Sequence, residues 1–135
     1  MLDLKISNPA DVAEAGYVVK IELPDGTPTD AEVKVRGVAS KIVRDYSRKM
    51  FQEMQMKEKM AKRRQKEVDE PTIEELEEMA AKAAAIRVIS WKNIGEDGKE
   101  IPFSKENAED VLKRFPFIRE QVLSASDDLS NFRFD

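Results

Sequence analysis

An α+β fold, mainly helical, is what this 135-residue chain predicts. Three observations predict it. Residues 17–38 alternate apolar and polar about a Pro24-Asp25-Gly26 turn, which reads as paired strands. Residues 39–66 repeat apolar side chains in steps of three and four, the signature of a long amphipathic helix. Two later hydroxyl residues, Thr72 and Ser104, each precede a further helix-period run, as caps do. The expected order is an N-terminal β-hairpin, a long amphipathic helix and a C-terminal set of three shorter helices. One domain spans 1–135: hairpin plus long helix over 1–66, a hinge at 67–71 and a helical part over 72–135.

Residues 1–16 read as a lead-in with a turn at Asn8-Pro9. Val18, Ile21 and Leu23 lie in YVVKIEL, a β-rich run. After the turn, where Pro presets φ and Gly accepts positive φ, AEVKVRGV places Val33, Val35 and Gly37 on one face and Glu32, Lys34 and Arg36 on the other. A lone hairpin is marginal in water and needs a helix or another subunit against it. The long helix has Ser40 as a candidate cap. Ala39, Ile42, Val43, Tyr46, Met50, Phe51 and Met54 form its stripe, and the stripe thins beyond Met54 into KEKMAKRRQK, an exposed arm with little to bury.

Charge then changes sign. Between 41 and 66 there are ten Lys/Arg against three acids; between 67 and 80 there are seven acids and no base. Bases at a helix end and acids at a helix start both suit the macrodipole. Asp69-Glu70-Pro71 breaks the chain, Thr72 and Glu75 have capping-box spacing, and Ile73, Leu76, Met79, Ala80, Ala83 and Ile86 are the expected buried face of the second helix. RVISWKNI reads as either a helix end or a short extended piece. Gly95-Glu96-Asp97-Gly98 is a surface turn, and Ile101-Pro102-Phe103 is extended because the residue before Pro avoids the α region. Ser104 caps a helix with Ala108, Val111, Leu112 and Phe115 inward. Pro116 opens another that carries Phe117, Ile118, Val122 and Leu123. The tail reads as loose apart from Phe132 and Phe134.

Composition excludes much chemistry. Hydrophobic residues are 41% and charged residues 37%, with no Cys and no His, and mean hydropathy is −0.57. There is enough apolar content for a modest core. Disulfides, Cys/His zinc sites, thiol nucleophiles and Ser-His-Asp triads are out. The N-terminus lacks a basic segment followed by an apolar one, and no stretch is apolar enough to span a bilayer, so a cytoplasmic protein without membrane contact is expected. The five glycines are scattered and form no phosphate loop. The acids at 74–78 suit a solvated helix start better than a catalytic pair, which needs burial or like-charge proximity. EDEP and GEDGKE lack EF-hand spacing. The chain therefore reads as no enzyme, with no cofactor and no metal.

Two binding readings compete for the long helix. Its basic end invites nucleic acid, but aromatic interleaving is absent and an equal acidic block follows at once. A solvated helix end, or pairing of the two blocks within or between chains, explains the same charges. The methionines point elsewhere: Met50, Phe51, Met54 and Met60 lie on one helix, and Met is flexible and polarizable, suited to partners of variable shape. These four form the candidate partner-binding patch. The plain alternative is a core or coiled-coil seam filled with Met.

From Ile89 to Phe117 the sequence ISWKNIGEDGKEIPFSKENAEDVLKRFPF carries a Trp (Trp91), an acidic Gly turn (Gly95–Gly98), the pattern G-x-x-(I/L)-P-(F/Y)-(S/T) (Gly98–Ser104), an E-N helix start (Glu106-Asn107) and Phe115-Pro116-Phe117. It resembles the C-terminal part of tail assembly chaperones of long-tailed, lambda-like bacteriophages and prophages. The front half is similar more loosely, in its β-pair around Pro-Asp-Gly and its Lys/Arg-rich helix. The resemblance implies a non-enzymatic phage tail assembly chaperone in the host cytoplasm. Such proteins bind the tape measure protein, help recruit tail tube protein, self-associate as homo-oligomers and are not part of the mature virion. Many occur also in a longer, frameshifted form. No residue-level site comes with the resemblance, so the Met50/Phe51/Met54/Met60 patch stands on the residues alone. The alternatives are a nucleic-acid-associated phage protein and a structural tail or head-completion component.

Overall fold

Side chains that alternate across an extended backbone can bury one face, and here three strands do so together. The computed structural model describes residues 1–4 and 8–132. Strand β1 (Tyr17–Glu22) pairs antiparallel with β2 (Pro28–Val35), and β2 pairs antiparallel with β3 (Val88–Lys92), giving the order β1-β2-β3. The register aligns Val19, Val33 and Trp91 in one row of the inner face. Val33 and Val35 are buried as expected, and Ile21 joins them, while Val18, on the other side, and Leu23, past the end of β1, are exposed. The outer face is ionic: Lys92 Nζ lies 2.8 Å from Glu32 Oε2 across the strands.

The expected hairpin is thus two thirds of a sheet. RVISWKNI, read as helix end or extended piece, is β3, and it satisfies the free edge of β2. That supplies the third strand a hairpin needs to persist in water.

Residues 9–15 form a further helix where a turn was expected. In α1 (Pro9–Ala15) the Asn8 side chain accepts from the Ala10 N–H and Pro9 takes the first helical position; Asn-Pro signals a cap here. Ala13 is buried against Gly37. A Cβ on Gly37 would stand 2.8 Å from Ala13 Cβ and 3.0 Å from Phe132 Cδ2, so glycine permits this close approach.

Helix α2 (Lys41–Arg63) is capped by Ser40, whose Oγ accepts from Val43 N at 3.3 Å. It ends in a Schellman motif, with Lys66 N donating to Ala61 O and Gln65 N to Lys62 O, and with Gln65 in the left-handed region. Helix α3 (Ile73–Ala85) is capped by Thr72 Oγ1, which accepts from Glu75 N at 3.1 Å. Its inner face differs from the expected one. Ala81, Ala84 and Ala85 are buried, while Ile73, Leu76 and Met79 are exposed. Small residues let α3 approach α4 closely, and they win the interior position over the larger neighbouring stripe.

After β3, β4 (Gly95–Glu96) and β5 (Lys99–Glu100) form a tight hairpin. Asp97 and Gly98 both have positive φ, as a two-residue primed turn requires. Helices α4 (Lys105–Arg114) and α5 (Pro116–Asp127) follow, then a single 3₁₀ turn, Leu129–Asn131. The α3–α5 set bears out the expected three shorter C-terminal helices. Phe132 is buried, as expected; Phe134 lies outside the described residues.

The core joins both halves of the chain. Ile21, Val33 and Val35 of the sheet pack with Ala81, Ala84, Val111, Leu112 and Val122 of the later helices. Helix α5 crosses the inner face of β1 and β2, and the Gln121 amide clips it to β1, accepting from Glu22 N and donating to Glu22 O, each at 2.9 Å.

Candidate protein-binding surface

The root of α2 is held by a dense set of hydrogen bonds. Arg36 N donates to Arg87 O at 2.6 Å, Gly37 N to Ala13 O at 2.9 Å and Val38 N to Ser126 O at 2.9 Å. The Ser126 hydroxyl, fully buried, donates to Arg36 O at 2.7 Å. Arg36 reaches across with Nη1 to the carbonyls of Ile86 and Val88. At the first residue of α2, Lys41 N donates to Glu14 Oε1. Helices α1 and α5, strand β3 and the turn that precedes it therefore grip the connection from β2 into α2.

Beyond that root the helix leaves the body. Val43 is its one buried residue. Tyr46, a turn on, is half-buried, and burial raises its hydroxyl pKa, with the Glu109 carboxylate of α4 adding to the rise. Met50 is still partly covered. From there outward Phe51 is 59% exposed, Met54 55% and Met60 40%. An apolar stripe on a 23-residue helix is normally what holds that helix to its protein. On α2 it does so for the first turns alone.

The four expected patch residues are not one line. At about 100° per residue, Val43, Met50, Met54 and Ala61 share one face. Phe51 stands on one shoulder of that face and Met60 on the other, while Met56 lies on the far side. Arg48 and Lys59 take the side opposite the stripe, Arg44 and Lys62 flank it beside Phe51, and Lys57 sits within it. Among the described residues the one ion pair made by these bases is Arg48 to Asp45, at 3.7 Å.

Periodicity had concealed a second surface. Ile73, Leu76 and Met79 of α3 form an exposed stripe set among acids. Glu78 and Glu74 both face Lys113 of α4, at 3.0 and 3.7 Å. The hydrogen bond from Lys113 lowers the Glu78 pKa.

The C-terminal motif, in contrast, works as an internal clasp. Trp91 Nε1 donates to Ile101 O at 2.8 Å, and its ring meets Phe103 edge-on with centroids 5.4 Å apart. Ser104 Oγ accepts from Asn107 N, and the Asn107 amide donates back to Pro102 O at 2.9 Å. A Cβ on Gly95 would come within 2.6 Å of Lys99 O. Arg114 spans the tight hairpin and helix, with both terminal nitrogens 3.1 Å from the Glu96 carboxylate and its guanidinium 5.0 Å from the Phe115 ring. These residues build the body that carries α2. No helix among the described residues is long and apolar enough to cross a membrane.

Fold and surface together define a small α+β scaffold that presents one long helix with its apolar face open. Residues 38–135, from the root of α2 to the end, match the model of the YdaY prophage protein family, and the chain belongs to that family. No curated protein and no solved structure matches it. The match agrees with the phage or prophage setting expected from the C-terminal motif; the chaperone role is a finer statement than the match reaches.

Proposed function

We propose that the chain is a tail assembly chaperone that binds the tape measure protein and helps recruit tail tube protein in the host cytoplasm, without catalysis, cofactor or membrane contact and without joining the mature virion. The observation that carries this reading is the half-exposed Phe51 and Met54 on a helix whose root is fixed. Prophage family membership supports the setting. A holder of long amphipathic helices needs an adaptable apolar face, and unbranched thioether side chains supply one. The docking mode is a partner helix laid along the Met50–Met54 face, read at helical spacing. Many copies along one long partner gain avidity even where each contact is weak.

Co-expression with the tape measure protein tests it. That protein should stay soluble with the wild-type chain and precipitate with Met54→Asp, while the variant chain remains folded. Equal solubility with both chains would count against the reading. A second reading, a nucleic-acid-associated protein, is favoured by the bases of α2, of which Arg48 alone forms an ion pair among the described residues. It requires a DNA affinity that falls steeply with salt.

A further inference from the structure

Two helices leave an apolar stripe uncovered, and the two stripes carry opposite charge. The α2 stripe lies in a segment with ten bases against three acids, and the α3 stripe in one with seven acids and no base. Ile73 is 78% exposed and Met79 52%, so α3 is as open as α2. Within one copy the stripes do not cover each other. Charge is also left over. Glu75 and Glu77 flank the α3 stripe, about 100° to either side of Leu76, and neither forms an ion pair with a described residue, whereas Glu74 and Glu78 are engaged by Lys113.

We infer that two copies of this chain pair reciprocally, α2 of each lying on α3 of the other. Apolar burial drives the contact. The charges set which helix meets which, because α2 on α2 and α3 on α3 would each juxtapose like charge. A second copy is the occupant that fits both stripes at once. Each chain offers one basic and one acidic helix, so a two-fold arrangement covers both stripes twice and closes. A partner matched to α2 alone would leave Ile73, Leu76 and Met79 in water. Length agrees: α3 has 13 residues, and the exposed outer part of the 23-residue α2 accommodates it. The pairing rests on these two stripes and not on the chaperone reading. If both hold, a tape measure helix and a second copy compete for the same face of α2.

Charge reversal tests it on the purified, nuclease-treated full chain. The wild type should sediment at twice the 15.4 kDa chain mass. Lys57→Glu with Lys62→Glu on α2 should give a monomer, and so should Glu75→Lys with Glu77→Lys on α3. An equimolar mixture of these two variants, and a single chain carrying all four changes, should each recover the dimer. A monomeric wild type overturns the inference. So does an α3 variant that dimerises like the wild type, since that places α2 against α2, and so does a mixture that stays monomeric. A second readout uses the absence of native cysteine. A chain with Met54→Cys and Met79→Cys, treated with a flexible bis-maleimide, should become a covalent dimer; bridging within single chains alone overturns the inference.

Discussion

Ser126 shows how one small polar side chain fixes a long element. It is fully buried on α5, and it serves the β2–α2 connection twice, with its hydroxyl donating to Arg36 O and its carbonyl accepting from Val38 N. A buried carbonyl that loses its donor keeps its desolvation cost without the bond. Ser126→Ala should therefore lower stability by about 1–3 kcal/mol. It should appear in urea unfolding as a lower midpoint with an unchanged slope, since the exposed area on unfolding is the same. A variant unfolding at the wild-type midpoint would show that water replaces the hydroxyl at no cost. Nothing in the sequence around Ser126 (LSASDD) marks this role. The hydroxyl matters because a segment ninety residues away passes beside it, and such a contact leaves no local pattern. Gly37 is similar. Alternation places it on the inner face, but the reason for glycine there is the arrival of Ala13 and Phe132.

At the scale of elements, α2 divides into a root that is part of the fold and an outer length that is not. Val43→Ala should cost roughly 1–3 kcal/mol, as truncation of a buried side chain does. Met54→Asp should stay within about 0.5 kcal/mol of wild type, as exposed substitutions do, and far-ultraviolet dichroism and urea midpoints check both. If Met54→Asp unfolds the protein, Met54 is part of the core and the binding surface is lost as an idea. The helix itself was legible because apolar steps of three and four, sustained from Ala39 to Met54, fit an α-helix and no strand. Its exposure was not, since periodicity reports a face and says nothing of what covers it. In α3 the same reasoning chose the wrong face. Two adjacent stripes, one of Ile73, Leu76 and Met79 and one of alanines, both satisfy a 3.6-residue period, and larger side chains are the default interior choice. Close packing on α4 reversed that choice. Helix α1 was hidden by its length, since seven residues carry too short a pattern. Strand β3 was hidden because pairing with β2 decides it, and strand preference depends on the neighbour more than on the residues themselves. The Met50–Met54 patch is thus readable in the sequence, its acidic counterpart on α3 emerges from burial, and the two shoulders at Phe51 and Met60 follow from helix geometry.

For the whole molecule the question is whether the chain's two halves are separate units joined near residues 67–71. The long helix and the charge reversal suggest a divide there, but the core does not respect it. The hairpin of the first half gains its third strand from the second half, and α5 lies across β1 and β2. Val33, Val35 and Ile21 share one apolar cluster with Leu112, Val122 and Ala84. The segment from 64 to 72 is exposed throughout and joins α2 to α3 without regular structure past the Schellman turn. Exposed, irregular backbone next to bases is where trypsin acts first. Limited digestion should therefore cut at Arg63, Arg64 or Lys66 before any site in the body, and the two fragments should co-elute in gel filtration as one folded complex. In denaturant they should separate. The cut releases no buried apolar surface, because the strand pairing of β2 with β3 and the packing of α5 on the sheet are untouched by it. Fragments that part under native conditions would mean that each half buries enough apolar surface by itself, against the single cluster in which Ile21, Val33 and Val35 of the first half pack with Ala84, Leu112 and Val122 of the second.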